Sequence, residues 1–221
     1  MTNSSIPDLS EEYALRAAGH RHVAGLDEAG RGAWAGPVCA GAVVLPLDCD
    51  ELLGLLGGVR DSKLLTAGRR EEMLPTIREV ALAVGVGWGE PAEVDLWGVV
   101  PATRLAMERA VAGLGERVGA LLIDWLELPG LDLAQRSLPR ADRRCLTVAA
   151  ASIVAKVARD RLMVELDEEY PGYGFAQHKG YGTEQHRDAL MRLGLSPIHR
   201  VSWRPMRGSV GRPAEDDVSG L

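Results

Sequence analysis

Hydrophobic positions along the chain fall first into short runs of β character and then into an alternation of strands and helices. An apolar run over 22–28 is followed by a glycine-bearing turn and by the valine-rich VCAGAVVL at 38–45, a pattern that predicts two antiparallel strands. Thr66 is placed to cap a helix whose apolar positions Met73, Leu74, Ile77 and Val80 share one face. VALAVGVGW at 80–88 reads as a third strand. Pro91 opens a short helix, and a second over 103–114 turns Leu105, Met107, Val111 and Leu114 inward. VGALLIDW at 118–125 has the near-continuous apolar character of a strand buried on both faces, yet carries Asp124 near its end. Residues 126–146 read as irregular. Thr147 caps the longest helix, over 148–169, whose small-residue opening VAAASIVAKV suits close packing on a sheet; Ser152 within it fits simple tight packing as well as chemistry. Pro171, Gly172, Gly174 and Gly180 mark a loop ahead of a last helix over 183–193.

Strands first, then strands mixed with helices, predict an α/β protein with a mixed central sheet flanked by helices and a C-terminal helical extension. With 221 residues, 46% of them hydrophobic, the chain can bury one sizeable core. Residues 21–205 are expected to form that domain, 1–20 a flexible N-terminal extension and 206–221 a disordered tail. The polar start MTNSSIPDLS carries no basic leader, and the longest apolar stretch is too short to span a bilayer, so a soluble cytoplasmic protein is expected. Cys39, Cys49 and Cys145 have neither the even count of a disulfide framework nor the close pairing of a zinc site. A net charge of −6 argues against a polyanionic partner only until its distribution is considered. Acids cluster at 48–51, 90–95, 165–169 and 215–217, whereas 133–163 and 176–207 carry a basic excess.

Candidate chemistry begins at DEAGRG, residues 27–32, where two adjacent carboxylates precede two glycines flanking an arginine. Gly30, Gly32 and Ala35 match a dinucleotide-binding fingerprint, but that fingerprint must open a helix facing pyrophosphate. Here Pro37 and a strand follow, and two carboxylates would repel the phosphates. Asp27, Glu28, Asp124 and Asp142 each stand at a strand end or before a helix, where a sheet-based site collects ligands. With no His or Cys at metal-ligand spacing, hard cations such as Mg²⁺ or Mn²⁺ fit better than zinc. Adjacent residues on a strand point to opposite faces, so the strand is expected to break at Asp27, letting Glu28 swing back to the same site.

These segments also resemble a known family. DEAGRG with AGPV following, DSKLL at 61–65, ID at 123–124, AD at 141–142 ahead of AAASIVAK, RDRLM at 159–163, PGYGF, HKGYGT and IHR resemble bacterial ribonuclease HII in order and spacing. The similarity runs from about Gly25 to Pro205. It implies a ribonuclease H-like fold and an endonuclease that hydrolyses the RNA strand of RNA·DNA hybrids. It further implies cutting 5′ of single ribonucleotides in duplex DNA, leaving 3′-hydroxyl and 5′-phosphate ends, as in ribonucleotide excision repair. By the same resemblance Asp27, Glu28, Asp124 and Asp142 would be catalytic and hold two metal ions. The Gly30, Arg31 and Gly32 backbone would sense a ribose 2′-hydroxyl, and Tyr181 would pack at the RNA-to-DNA junction. Lys63, Arg143, Arg144, Lys179 and Arg200 are candidate phosphate contacts. Trp125 stands where the family has a small residue, RADRRC around Asp142 is unusually arginine-rich, and Pro101 replaces a common asparagine. A ribonuclease HIII-like enzyme is an alternative, although only some twenty residues precede the first strand here. A hybrid-binding protein without catalysis is another, against which the four intact acids count. The tail holds no convincing clamp-binding peptide, so a monomer is expected.

Overall fold

The computed structural model describes residues 6–115 and 118–206. Its centre is β1 (Val23–Ala29), antiparallel to β2 (Val38–Val44), which is itself antiparallel to β3 (Ala83–Gly89). On the other side β4 (Ala120–Asp124) lies parallel to β1, and β5 (Ala134–Leu138) parallel to β4. The result is the expected mixed sheet, five-stranded in the order β3-β2-β1-β4-β5. β5 falls in the stretch read as irregular: AQRSL is a half-exposed edge strand with no apolar alternation to betray it.

Helices cover both faces. α6 (Leu146–Glu169) lies on one, and a Cβ added at Gly25 or Gly41 would collide with its backbone. α5 (Val99–Ala112) lies on the other, its Ala102, Ala106 and Ala110 carbonyls pressed against Gly89, Gly87 and Gly85. Small residues on helix and strand thus bring backbones close and bury both layers. This face differs from the expected one, since the alanines join Met107 and Val111 inside while Leu105 is only half-buried. α5 also starts before Thr103, because Pro101 sits in the first turn, where no intrahelical N–H bond is lost.

α3 (Ala67–Val80) is capped as anticipated, Thr66 Oγ1 accepting from Arg69 N at 3.2 Å, and α4 (Pro91–Trp97) follows β3. α2 (Leu52–Leu55) and α7 (Phe175–His178) are short helices without a sequence signal, and α8 (Glu184–Leu193) completes the C-terminal helical part. That part packs on the end of α6 through Met163, Tyr173, Phe175 and Leu190.

Two expectations about ends need correction. Cys145, not Thr147, precedes α6, and it offers no side-chain cap. The cap comes from α1 (Ser10–Ala17), whose fully buried Glu12 accepts from Thr147 N at 2.9 Å and Thr147 Oγ1 at 2.8 Å. The stretch 1–20 is therefore not a flexible extension throughout, because α1 is docked on the core with Leu9 buried beside it. The tail from 207 onward lies outside the described residues. Among those residues no helix is long and apolar enough to cross a membrane. Cys39 and Cys145 are buried free thiols, and Cys49 is half-buried.

Candidate active site

β1 does not break at Asp27. It stays paired with β2 through Ala29, with Asp27 opposite Gly41 and Glu28 opposite Ala40. What stops is its pairing with β4, whose last partners are Leu26 and Ile123. Alternation places Asp27 on the α6 face with Gly25, and Glu28 on the α5 face with Leu26. With β4 ending at Asp124, Glu28 is free to reach sideways across the strand end. Its carboxylate meets the Trp125 indole Nε1 at 3.2 and 3.3 Å and Arg31 Nη1 at 2.8 Å. Asp124 Oδ1 accepts from Ala141 N at 2.9 Å, which pins the single turn Ala141–Arg143 carrying Asp142 beside the end of β4.

The four acids act on one another. Asp27, 2% exposed, is held well above the ordinary carboxylate range by burial first and then by Glu28, with Asp124 and Asp142 adding to it and Lys63 opposing. Glu28 is raised by burial against the pull of Arg31 and the Trp125 N–H. Asp142 is pushed up to about 6 by burial, Asp61 and Asp124. Burial disfavours the Lys63 ammonium, but the fields of Asp27, Asp142 and Asp61 outweigh it and raise its pKa. Lys63 Nζ lies 3.9 Å from Asp142 Oδ2. Hard oxygen donors crowded into a shared negative field suit a divalent cation. As the side chains stand, no three His, Cys, Asp or Glu among the described residues are arranged to hold one.

A cleft of about 460 Å³ opens beside these acids, with Glu28, Gly30–Gly32, Lys63, Lys156 and Tyr181 on its walls. Gly30 has φ +84°, and a side chain there would run into Arg159, whereas Gly32 faces open space. Arg200 was a candidate phosphate contact. It is instead fully buried and holds this loop from behind, donating to Gly30 O at 2.8 Å, Arg31 O at 2.9 Å and Gly36 O at 2.8 and 3.0 Å. Because trans peptides oppose C=O and N–H, drawing the Gly30 and Arg31 carbonyls inward turns the Arg31 and Gly32 amides away from Arg200.

Tyr181 is held by groups that sequence reasoning quoted only as motif letters. Arg159, fully buried, donates to Pro37 O, Ala35 O and Lys179 O, with its guanidinium 5.5 Å from the Tyr181 ring. Beneath the loop, Ser196 N–H donates to His199 Nδ1 at 2.9 Å, His199 Nε2 meets His186 Nε2 at 3.0 Å, and His186 Nδ1 meets Tyr181 O at 3.0 Å. Burial lowers both histidines to about 4. Neutral rings then allow a one-directional chain of donors ending on the Tyr181 carbonyl.

Lys63 stands exposed on the cleft wall, and Arg143 Nε bonds Asp61 Oδ2 at 3.0 Å next to Asp142. Two other basic candidates point elsewhere. Arg144 is paired with Glu11 of α1 at 2.8 Å, and the Lys179 ammonium meets the Ala176 carbonyl in a separate depression with Arg70 and Asp160. Lys156, not foreseen, lines the cleft with its Nζ 5.7 Å from the Tyr181 ring. Its place one turn before Asp160, to which it pairs at 2.6 Å, was the available signal.

A family model for ribonuclease HII matches residues 24–206. Ribonuclease HII of Chloroflexus aurantiacus is 53% identical over 201 residues, covering 91% of this chain and 95% of that one. That of Thermus thermophilus is 55% identical over 184 residues, covering 83% and 87%. The crystal structure of ribonuclease H2 from Pyrococcus horikoshii aligns with a TM-score of 0.68 at 26% identity, over 85% of this chain and 96% of that one. A ribonuclease HIII crystallised with Mn²⁺ shares the fold, with a TM-score of 0.65 at 20% identity, over 85% of this chain and 68% of that one. With a match running from the first strand to the last described residue, the chain belongs to the ribonuclease HII family.

Proposed function

We propose that the protein is a metal-dependent endonuclease that hydrolyses the RNA strand of RNA·DNA hybrids and cuts duplex DNA immediately 5′ of a single ribonucleotide, leaving 3′-hydroxyl and 5′-phosphate ends. The observation that carries this reading is one cleft with the Gly30–Gly32 backbone and Tyr181 on its walls and the acidic sheet end beside it. A 2′-hydroxyl both donates and accepts, and it is the group by which a protein tells RNA from DNA at one nucleotide. Amides of Arg31 and Gly32, turned outward by the Arg200 clamp, offer it donors without regard to the base. The Tyr181 ring packs against the neighbouring sugar, its loop fixed by Arg159 and the histidine chain.

Asp27, Glu28, Asp124 and Asp142 would hold two Mg²⁺ or Mn²⁺ ions, which when bound supply an activated water and stabilise the leaving oxygen. For that, Glu28 must release Arg31 from Oε1, with the Trp125 N–H left on the carboxylate. Lys63, beside Asp142 and open to the cleft, and Lys156, beside Tyr181, place positive charge along a phosphate backbone. Arg143, bonded to Asp61 next to Asp142, adds to this. We place the activity in the cytoplasm, in removal of ribonucleotides from DNA, and expect a monomer.

Gly32→Ala tests the reading, because a methyl group there meets nothing in the protein. The variant should fold and melt like the wild type. It should lose cleavage of a duplex containing one ribonucleotide by about ten-fold or more, the scale of one lost hydrogen bond to a substrate hydroxyl plus crowding. Full-rate cutting by the variant, or a wild type needing several consecutive ribonucleotides, would reject the assignment.

A further inference from the structure

Trp125 directly follows Asp124, the acid that ends β4, and its surroundings give it a task. Its backbone is left-handed, φ +54°, a conformation that bulky residues rarely adopt. Its amide donates to Leu138 O at 3.3 Å, so it closes β4. Its indole N–H reaches both carboxylate oxygens of Glu28, 97 residues away, at 3.2 and 3.3 Å. The Arg31 guanidinium lies 4.1 Å from the centre of its ring and bonds Glu28 Oε1 at 2.8 Å. Each of the three side chains touches the other two.

The face assignments make this contact consequential. Asp27 lies on the α6 side, so Glu28 can act with it only by curling over the end of the sheet from the α5 side. Trp125 packs on the α5-side core, with the ring partly buried there. A glutamate arm has several rotatable bonds, and nothing in β1 itself decides where its carboxylate stops. The indole N–H and the stacked guanidinium do.

We propose that Trp125 is a positioning residue: its N–H sets the Glu28 carboxylate and its ring face seats Arg31, so that the second acid and the Gly30–Gly32 loop are held as one unit beside the cleft. The two parts of the side chain then have separable effects. The N–H governs how readily Glu28 joins an ion. The ring face governs the order of the loop that meets the nucleotide.

The inference rests on the function proposed above, and Trp125→Phe and Trp125→Leu separate the two. Phenylalanine keeps a ring for Arg31 and removes the donor; leucine keeps bulk and removes both. Mn²⁺ binding is measured by calorimetry without substrate, alongside KM and kcat on a duplex with one ribonucleotide and melting in chelator. Trp125→Phe should weaken Mn²⁺ binding by about ten-fold, the usual scale for losing a group that orients a metal ligand, with KM within about two-fold of wild type and melting unchanged. Trp125→Leu should weaken Mn²⁺ binding equally and raise KM as well. Unchanged Mn²⁺ affinity in Trp125→Phe overturns the inference while leaving the nuclease reading intact, provided the wild type binds Mn²⁺ and cuts. A fall in Mn²⁺ affinity matched by an equal fall in melting in both variants also overturns it, since the residue would then be merely structural. A wild type that neither binds Mn²⁺ nor cuts removes the nuclease reading, and this inference with it.

Discussion

Replacing Asp142 with Asn should make the metal-free protein more stable while removing most of its turnover. Asp142 is 4% exposed, and its pKa rises from the ordinary 3.8 to about 6 through burial and the neighbouring Asp61 and Asp124. A carboxyl with a raised folded pKa binds its proton more tightly in the native state than in the unfolded chain. Stability from this group is therefore full at low pH and is lost as pH rises through the folded value. About two pKa units at 1.36 kcal/mol each give an upper bound of about 3 kcal/mol lost by pH 8. Asparagine carries no charge, and its amide can donate to Asp61, but it gives up the attraction of Lys63. A net gain of about 1–2 kcal/mol is expected, or about 2–8 °C in melting temperature for a chain of this size. Thermal melts in chelator at pH 4, 6 and 8 measure it. The gain should appear at pH 8 and vanish at pH 4, where the wild-type carboxyl is already protonated. A variant less stable than wild type at pH 8, or equally stabilised at pH 4, would refute the reasoning and the crowding it assumes.

Arg200→Met should destabilise the protein by about 3 kcal/mol or more, because the buried carbonyls of Gly30, Arg31 and Gly36 lose their donor; denaturant melts measure this, and a neutral outcome would deny the clamp. Lys63→Ala should reduce the steepness of the salt dependence of hybrid binding by about one counterion, while Arg144→Ala, tied to Glu11, should leave it unchanged. Binding isotherms between low and physiological salt decide between the two.

The sheet was legible in the sequence wherever a strand is buried, because a buried strand must be apolar. β5 was not, since an edge strand with half-exposed Gln135 and Ser137 and an exposed Arg136 needs only backbone partners. The four acids stood out as carboxylates at element ends, and the structure gathers them into one field. How Glu28 gets there was misread, because a one-dimensional pattern shows alternation but not where the neighbouring strand stops. Arg200 illustrates a related limit: an arginine in a basic segment looks like a phosphate contact until the structure shows main-chain carbonyls around its guanidinium. The histidine chain was equally hidden, because His186 lies within α8 and His199 beyond its end, thirteen positions apart.

Glu12 gives the molecule a boundary that the family model alone would draw in the wrong place. The family match begins at residue 24, yet the start of α6, the helix that floors the acidic end of the sheet, is tied to a carboxylate twelve positions upstream of that point. The stretch matched by the family model is thus smaller than the unit that folds. α1 acts as a keystone set ahead of the matched stretch, and trimming the chain to that stretch would leave the Thr147 amide at the start of α6 without its carboxylate partner.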